Sequence, residues 1–315
     1  MNGSGPVLVT GAAGFAGSHV VEALAGAAET VGWTHRASPP DDLAGVAEWQ
    51  RIDLLDVTQV RDAIARLRPS AVIHCAGAPN VAHSWKDTVT PLSVNVLATH
   101  HLLDALHRAN VRSRVVVPGS ATVYGLSNAA LTEESAVAPS NPYAVSKLAQ
   151  EQLSLRAARE DGVEVIVTRS FNHTGPRQSA AFAAPNMARQ IALIEKGLVE
   201  PVIKVGNLDA QRDFTDVRDM VRAYVLLAKK DVPGRLYNVS SGVARVMRSV
   251  LDALAARARV EVLIEPDPAL MRPNDTPLVL GDSTKLRRDT GWRPEIPFDQ
   301  TLDDLLNYWR RIAHG

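Results

Sequence analysis

Residues 7–17, Val-Leu-Val-Thr-Gly-Ala-Ala-Gly-Phe-Ala-Gly, constrain the fold of this 315-residue chain more than any other stretch. A short apolar run breaks into three glycines spaced G-x-x-G-x-x-G, and Ser18-His19-Val20-Val21 then opens a helical pattern. A buried strand, a tight turn and a helix start therefore follow one another. In such a turn Gly11 permits the reversal, Gly14 lets backbone N–H groups approach an anion at the positive helix end, and Gly17 allows helix and strand to pack closely. The pattern implies a dinucleotide pyrophosphate site formed by Gly11, Gly14, Phe15, Ala16 and Gly17.

Charge excludes several alternatives. The 34 basic side chains balance 34 acidic ones, so no net field draws the chain to nucleic acid or to an anionic membrane. Any anionic ligand must be met by local arginines. The single cysteine, Cys75, rules out an internal disulfide and fits a reducing compartment. It lies in the apolar run Ala71-Val72-Ile73-His74-Cys75-Ala76, where burial is expected rather than reactivity. A polar N-terminus leading into a short strand offers neither a signal peptide nor a membrane span, so a cytoplasmic location is expected.

Short apolar runs at 7–10, 30–34, 71–74, 114–118 and 163–169 alternate with helical periodicity at 14–26, 57–67, 91–109 and 142–160. This alternation predicts an α/β fold: a doubly wound parallel Rossmann sheet with a smaller C-terminal α/β substrate domain. After about residue 170 prolines interrupt shorter elements. The expected division is a cofactor-binding domain over 1–170, rejoined by about 212–240, with a substrate domain in the remainder of 171–315.

A second constellation bears on the reaction. Ser120 follows one strand, and Tyr143 and Lys147 stand four apart at a helix start, so they share a helix face. There the Lys147 ammonium is expected to lower the phenol pKa and to hydrogen-bond a cofactor ribose. Ser120 and Tyr143 would then meet one substrate oxygen, and the phenol would exchange a proton with it while hydride passes between carbon and nicotinamide. The predicted centre is a carbonyl/alcohol centre, and no metal is expected in it.

These residues resemble the extended short-chain dehydrogenase/reductase superfamily, in its sugar-nucleotide branch, along nearly the whole chain. The resemblance is carried by the glycine turn, Asp53-Leu54, His74-Cys75-Ala76-Gly77-Ala78, Asn95-Val96 with Thr99, Ser120 with Tyr124-Gly125, Tyr143-x-x-x-Lys147 and Asn172-His173-Thr174-Gly175-Pro176. It implies that Asp53 and Leu54 flank the adenine after a third strand, that Ala76 and Gly77 line the cofactor, that Asn95 supports the catalytic network, and that Asn172 meets the substrate diphosphate. Many relatives dimerise through the helices at 91–109 and 142–160, with which Leu97 and Leu153 are compatible, so a homodimer is expected.

At the end of the second strand, Gly32-Trp33-Thr34-His35-Arg36 has no acid for a ribose 2′-hydroxyl and supplies an arginine suited to a 2′-phosphate. NADP(H) is therefore the preferred cofactor, with NAD(H) left open. Arg212 and Arg272 are the candidate clamps on the substrate diphosphate.

Three reactions fit the branch: 4,6-dehydration, 4-epimerisation and reduction of a 4-keto sugar. Family dehydratases carry an acid two residues before the tyrosine matching Tyr124, as the base at C5; here that residue is Thr122, which faces the substrate instead, and its neighbour is Ala121. The stretches at 170–179, 203–219, 270–275 and 290–298 resemble GDP-4-keto-6-deoxy-D-mannose reductases, which form GDP-D-rhamnose. An NADPH-dependent ketoreductase acting on a GDP-sugar is thus expected. An NAD-dependent 4-epimerase remains open, because Ser120-Ala121-Thr122-Val123-Tyr124 resembles the serine segment of epimerases. Arg177 stands where a glycine is expected, at the rim of the sugar pocket.

Overall fold

The structure is a computed structural model that describes residues 5–271 and 276–313. Among them are thirteen strands: β1 (Val7–Thr10), β2 (Thr30–Thr34), β3 (Glu48–Arg51), β4 (Ala71–His74), β5 (Arg114–Pro118), β6 (Glu164–Ser170), β7 (Asn172–Thr174), β8 (Val202–Val205), β9 (Gln211–Asp216), β10 (Leu236–Val239), β11 (Ala244–Val246), β12 (Leu263–Pro266) and β13 (Leu278–Val279). Seven form one sheet in the order β10-β6-β5-β4-β1-β2-β3, and each of its pairings is parallel. The order reverses between β1 and β4, and ligands of such sheets bind in the crevice outside the strand ends at that point.

Alternation along β1 explains the layers. Val7 and Val9 pack with Val20, Val21 and Leu24 of helix Phe15–Leu24 and with Met220 and Tyr224 of helix Val217–Lys229. Leu8 faces the other way, onto Val60 and Ile64 of helix Val57–Leu67 and Leu102 and Leu106 of helix Ala98–Arg108. A strand buried on both faces reads as a continuous apolar run, which is why β1, β2, β4 and β5 begin and end as expected. Burying each such side chain contributes about 1.5–3 kcal/mol. Strand β6 begins and ends one residue later than its apolar run suggests.

Two local features are not written in the apolar pattern, for physical reasons. The edge strand β3, Glu-Trp-Gln-Arg, is half exposed and has no apolar run to announce it. The helix expected over 91–109 is interrupted: residues Leu92–Leu97 wind as a π-helix before the α-helix Ala98–Arg108.

A third core joins helices Ala183–Glu195, Met247–Ala255 and Phe298–Ile312 over Ile203, Val205 and Phe214. Strands β11, β9, β13 and β7 make a small sheet beside it, and β12 pairs with β8. The chain returns to the large sheet later than residue 212. Residues 211–216 form β9, and the return starts at Val217, where the Asp216 side chain caps the helix by accepting from Arg218 N at 2.8 Å. Leu286 and Trp292 also pack into the large-sheet core.

Candidate active site

The ends of β1, β4 and β5 meet at the crevice. Gly11 has φ of +62°, and a Cβ there would lie 2.6 Å from the Ala76 nitrogen. A Cβ on Gly17 would lie 2.1 Å from the Gly11 carbonyl oxygen, so helix Phe15–Leu24 rests directly on the turn. Gly14 closes the turn. Its own N–H donates to Gly11 O at 2.9 Å, so it is not available to an anion. The amides without an intrahelical acceptor are those opening the helix, Phe15 and Ala16 among them. Gly14 caps that helix with no side-chain bond, and its first turn holds no acid. The close backbone packing and the uncapped, acid-free helix start fit a pyrophosphate.

At the other end of this crevice the chain is open. Arg36 is exposed. His35 Nε2 lies 3.6 Å from Asp53 Oδ2, and Arg51 Nε donates to His35 O at 2.7 Å. Asp53 Oδ1 accepts from Leu55 N at 2.9 Å. Leu54 packs partly into the apolar layer, and its carbonyl lies 2.9 Å from the His101 ring nitrogen.

On the other side of the glycine turn, where β4 and β5 end, sits a buried polar cluster. Asn95, on the π-helical turn, accepts from Ala78 N at 2.8 Å and donates to Ser146 Oγ at 2.9 Å. Ser146 Oγ donates in turn to the Tyr143 carbonyl at 2.7 Å. A Cβ on Gly77 would meet Asn95 Oδ1 at 2.9 Å, so the loop after β4 lies directly against this amide. The π-turn presents Asn95 towards both loop and helix, a use of π-geometry common at functional sites.

Helix Pro142–Glu160 is well started. Pro142 occupies its first turn, and the Asn141 side chain accepts from Ala144 N at 2.9 Å. This start fixes Tyr143, whose N–H also donates to Ser84 Oγ at 3.3 Å. Ser120 begins the short turn after β5, and its Oγ lies 2.9 Å from Thr122 Oγ1. The Ser120 hydroxyl acts on the Tyr143 phenol to lower its pKa, but burial is the larger influence and pushes it up.

This corrects the expected role of Lys147. Its ammonium does not act on the phenol here, because it is turned to Pro118 O at 2.8 Å and Gln150 Oε1 at 2.6 Å. Burial lowers the Lys147 pKa to about 8.

On the substrate side, Asn172 opens β7 and is exposed. Arg212 lies on β9 opposite Arg245 and Val279, and its Nη1 donates to Thr276 O at 2.6 Å. Arg272 lies outside the described residues. Arg177 is anchored on helix Phe15–Leu24. Its backbone has φ of +70°, the conformation glycine favours, and its guanidinium reaches back to His19 Nδ1 at 2.8 Å, to Glu22, and to Asp42 at 3.6 Å.

A family model described as GDP-mannose 4,6 dehydratase matches residues 8–305. The chain belongs to this family of extended short-chain dehydrogenases/reductases. The GDP-6-deoxy-D-mannose reductase of Pseudomonas aeruginosa is 39% identical to it over 306 residues, 96% of each chain. A solved structure of RMD from Pseudomonas aeruginosa complexed with NADPH matches with a TM-score of 0.83 at 36% identity, covering 97% of this chain and 99% of that one. The UDP-glucose 4-epimerase of Thermus thermophilus in complex with NAD matches with a TM-score of 0.87 at 29% identity, over 97% and 99%.

Within this family frame, some of the polar cluster escapes motif reading. Gln150 bonds both Lys147 and Thr99, and Ser84 supports the Tyr143 backbone. Ser84 is 59 residues from its partner, and Gln150 is 51 from Thr99. Ser146 and Gln150 stand beside Tyr143 and Lys147 on the same helix, and only their partners are distant in sequence.

Proposed function

We propose that the protein reduces the C4 ketone of GDP-4-keto-6-deoxy-D-mannose with NADPH, giving the GDP-6-deoxyhexose GDP-D-rhamnose. One observation carries the reading: Ser120, Thr122 and Tyr143 form a cluster of hydroxyls, with Thr122 at the position where family dehydratases keep a carboxylate base. Such a centre can polarise and protonate a ketone but lacks the base for eliminating water. The named relative that reduces a GDP-6-deoxy sugar, matched along the whole chain, supports the substrate class.

The glycine turn, Phe15 and Ala16 would hold the cofactor pyrophosphate, Asp53 and Leu54 the adenine, Arg36 the 2′-phosphate, and Ala76, Gly77 and Lys147 the nicotinamide end. The nicotinamide, when bound, supplies the hydride. Ser120 and Tyr143 hydrogen-bond the C4 oxygen, and Tyr143 donates its phenolic proton as negative charge develops there. Burial keeps that phenol protonated and ready to donate. Asn172, Arg212 and Arg272 would hold the GDP diphosphate, guanidinium forks matching phosphate oxygens.

The test is to follow NADPH absorbance with GDP-4-keto-6-deoxymannose and to read C4 of the product by NMR. Stoichiometric loss of NADPH with formation of GDP-D-rhamnose is expected. Equilibration of a 4-hydroxy nucleotide sugar without net NADPH loss would replace this reading with epimerisation, which the Ser120–Tyr124 segment favours. An epimerase regenerates its cofactor and would purify with NAD bound.

Two further expectations accompany this reading. The first is a homodimer through helices Ala98–Arg108 and Pro142–Glu160, with exposed Leu97 beside them. The second is a cytoplasmic location; no helix among the described residues is long and apolar enough to cross a membrane.

A further inference from the structure

Lys147 carries only donors, and its ammonium is almost wholly buried. The atom of Gln150 facing it must therefore be Oε1, at 2.6 Å, which turns Nε2 towards Thr99 Oγ1 at 2.8 Å. Thr99 has one hydroxyl proton, and it goes to Asn95 O at 2.6 Å. The same oxygen lies 2.9 Å from His74 Nε2, so that nitrogen must be the donor. Nδ1 of the neutral ring then accepts from Thr10 Oγ1 at 2.7 Å, and the Thr10 oxygen receives the Ala76 N–H at 3.3 Å. Thr10, His74, Thr99 and Gln150 are all buried, so water offers none of them a substitute partner.

The direction of each bond in this chain is thereby fixed, and it runs from the residue before Gly11 to Lys147. A neutral amide cannot carry a proton along it. Its function is mechanical: it gives the ammonium two rigid acceptors, Pro118 O from β5 and Gln150 Oε1 from its own helix, and leaves its third N–H for another ligand.

We propose that Gln150 is a positioning residue for Lys147, braced by Thr99 and His74 so that the ammonium meets the cofactor ribose with its remaining donor. The proposal rests on the functional reading above, in which Lys147 binds that ribose. Gln150 touches neither substrate nor cofactor in this scheme.

The titratable groups bearing on Lys147 are His74, which ends β4, and Cys75 just after it, with Tyr143 one turn earlier on its own helix and Tyr224 of helix Val217–Lys229 behind Cys75 and Tyr143. Burial pushes the Cys75 thiol up to about 12 and His74 down to about 3, and it raises both phenols, so none of the four carries charge near neutrality. An alkaline loss of activity near pH 8 therefore reports Lys147. Removing an acceptor moves that limb to lower pH, and supplying a carboxylate moves it up.

The experiment measures kcat, KM for NADPH and the pH profile of Gln150→Leu, Gln150→Glu, Thr99→Val and Lys147→Met, with folding followed by circular dichroism. For Gln150→Leu we expect kcat/KM for NADPH to fall roughly tenfold to a hundredfold and the alkaline limb to move down. Gln150→Glu keeps an acceptor on the ammonium but loses the donor to Thr99 Oγ1, so it should move the limb above that of the wild type while retaining part of the cofactor-affinity defect, and Thr99→Val should shift the limb as Gln150→Leu does, by less. If Gln150→Leu does not fold, the opposed shifts of the other two variants carry the test. A folded Gln150→Leu with wild-type KM and limb overturns the proposal, as does a loss of thermal stability alone. Full turnover by Lys147→Met would instead overturn the reading of the site on which the proposal rests.

Discussion

Where β4, β5 and helix Pro142–Glu160 meet, Lys147, Gln150, Thr99 and His74 are buried and bonded to one another within 2.9 Å. Where β2 and β3 end, Arg36 is exposed, and His35 and Asp53 face each other across 3.6 Å with 52% and 43% of their side-chain surfaces in water. One cofactor crevice thus has two kinds of end. In the buried end a displaced donor has no water to replace its partner, so geometry is fixed before any ligand arrives. In the open end charges are screened and side chains can move, so discrimination there is graded and depends on salt. Chemistry is assigned to the first end and cofactor preference to the second.

The largest expected effect tests the buried end. Tyr143→Phe removes the only proton this scheme delivers to the C4 oxygen while leaving the ring and the helix start in place. We expect kcat to fall roughly 10²- to 10⁴-fold with NADPH still bound. Cofactor fluorescence titration beside turnover separates the two, and an unchanged kcat would remove Tyr143 from the reaction.

Gly17→Ala tests the wall joining the two ends. The added Cβ would fall 2.1 Å from a backbone oxygen, and neither the turn nor helix Phe15–Leu24 can move without disturbing the core behind them. A loss of about 3 kcal/mol is expected in urea unfolding, with weakened cofactor binding. A stability within experimental error of the wild type would mean that the turn adapts.

The contrast between the two ends also sets what the sequence made legible. Strands β1, β2, β4 and β5 were readable because burial on both faces writes an unbroken apolar run, whereas the half-exposed β3 writes none. Tyr143, Lys147 and Ser120 were readable because local spacing encodes them. The orientation of Lys147 was not: two residues on one helix face can still point to different partners, and Pro118 and Gln150 outcompete the phenol. The π-turn under Asn95 was also hidden, since an extra residue in one turn barely alters apolar periodicity. Arg177 illustrates the reverse case, in which the sequence flagged the departure from glycine and only the fold revealed the anchor on Glu22.

His74 supplies a third test, through acid. Its pKa falls from 6.5 to about 3 because the folded protein keeps the ring buried and neutral, next to the Lys147 charge. The unfolded chain binds a proton below pH 6.5 that the folded protein refuses, so stability falls as pH drops from 6.5 towards 3. The slope from this group is about 1.4 kcal/mol per pH unit. His74→Asn, whose amide cannot titrate, should flatten the wild-type decline between about pH 6 and 4.5 in chemical unfolding. Equal slopes in the two proteins would mean that the ring is already charged in the fold.

The smallest effect is expected at the open end. Arg36 is the one arginine immediately past β2, and the segment 34–40 that carries it holds no acid. Arg36→Ala should raise KM for NADPH about tenfold, as expected for loss of one charge-assisted hydrogen bond, and leave NADH almost unaffected. Because the guanidinium is exposed, the difference should shrink when salt shortens the screening length to about 3 Å near 1 M, whereas the defect of Gln150→Leu should persist there. Equal salt sensitivity of the two variants would erase the distinction between the ends. A change of the same size in both cofactors would move the 2′-phosphate away from Arg36, leaving Arg51, which bonds the His35 carbonyl, as the other arginine at this end.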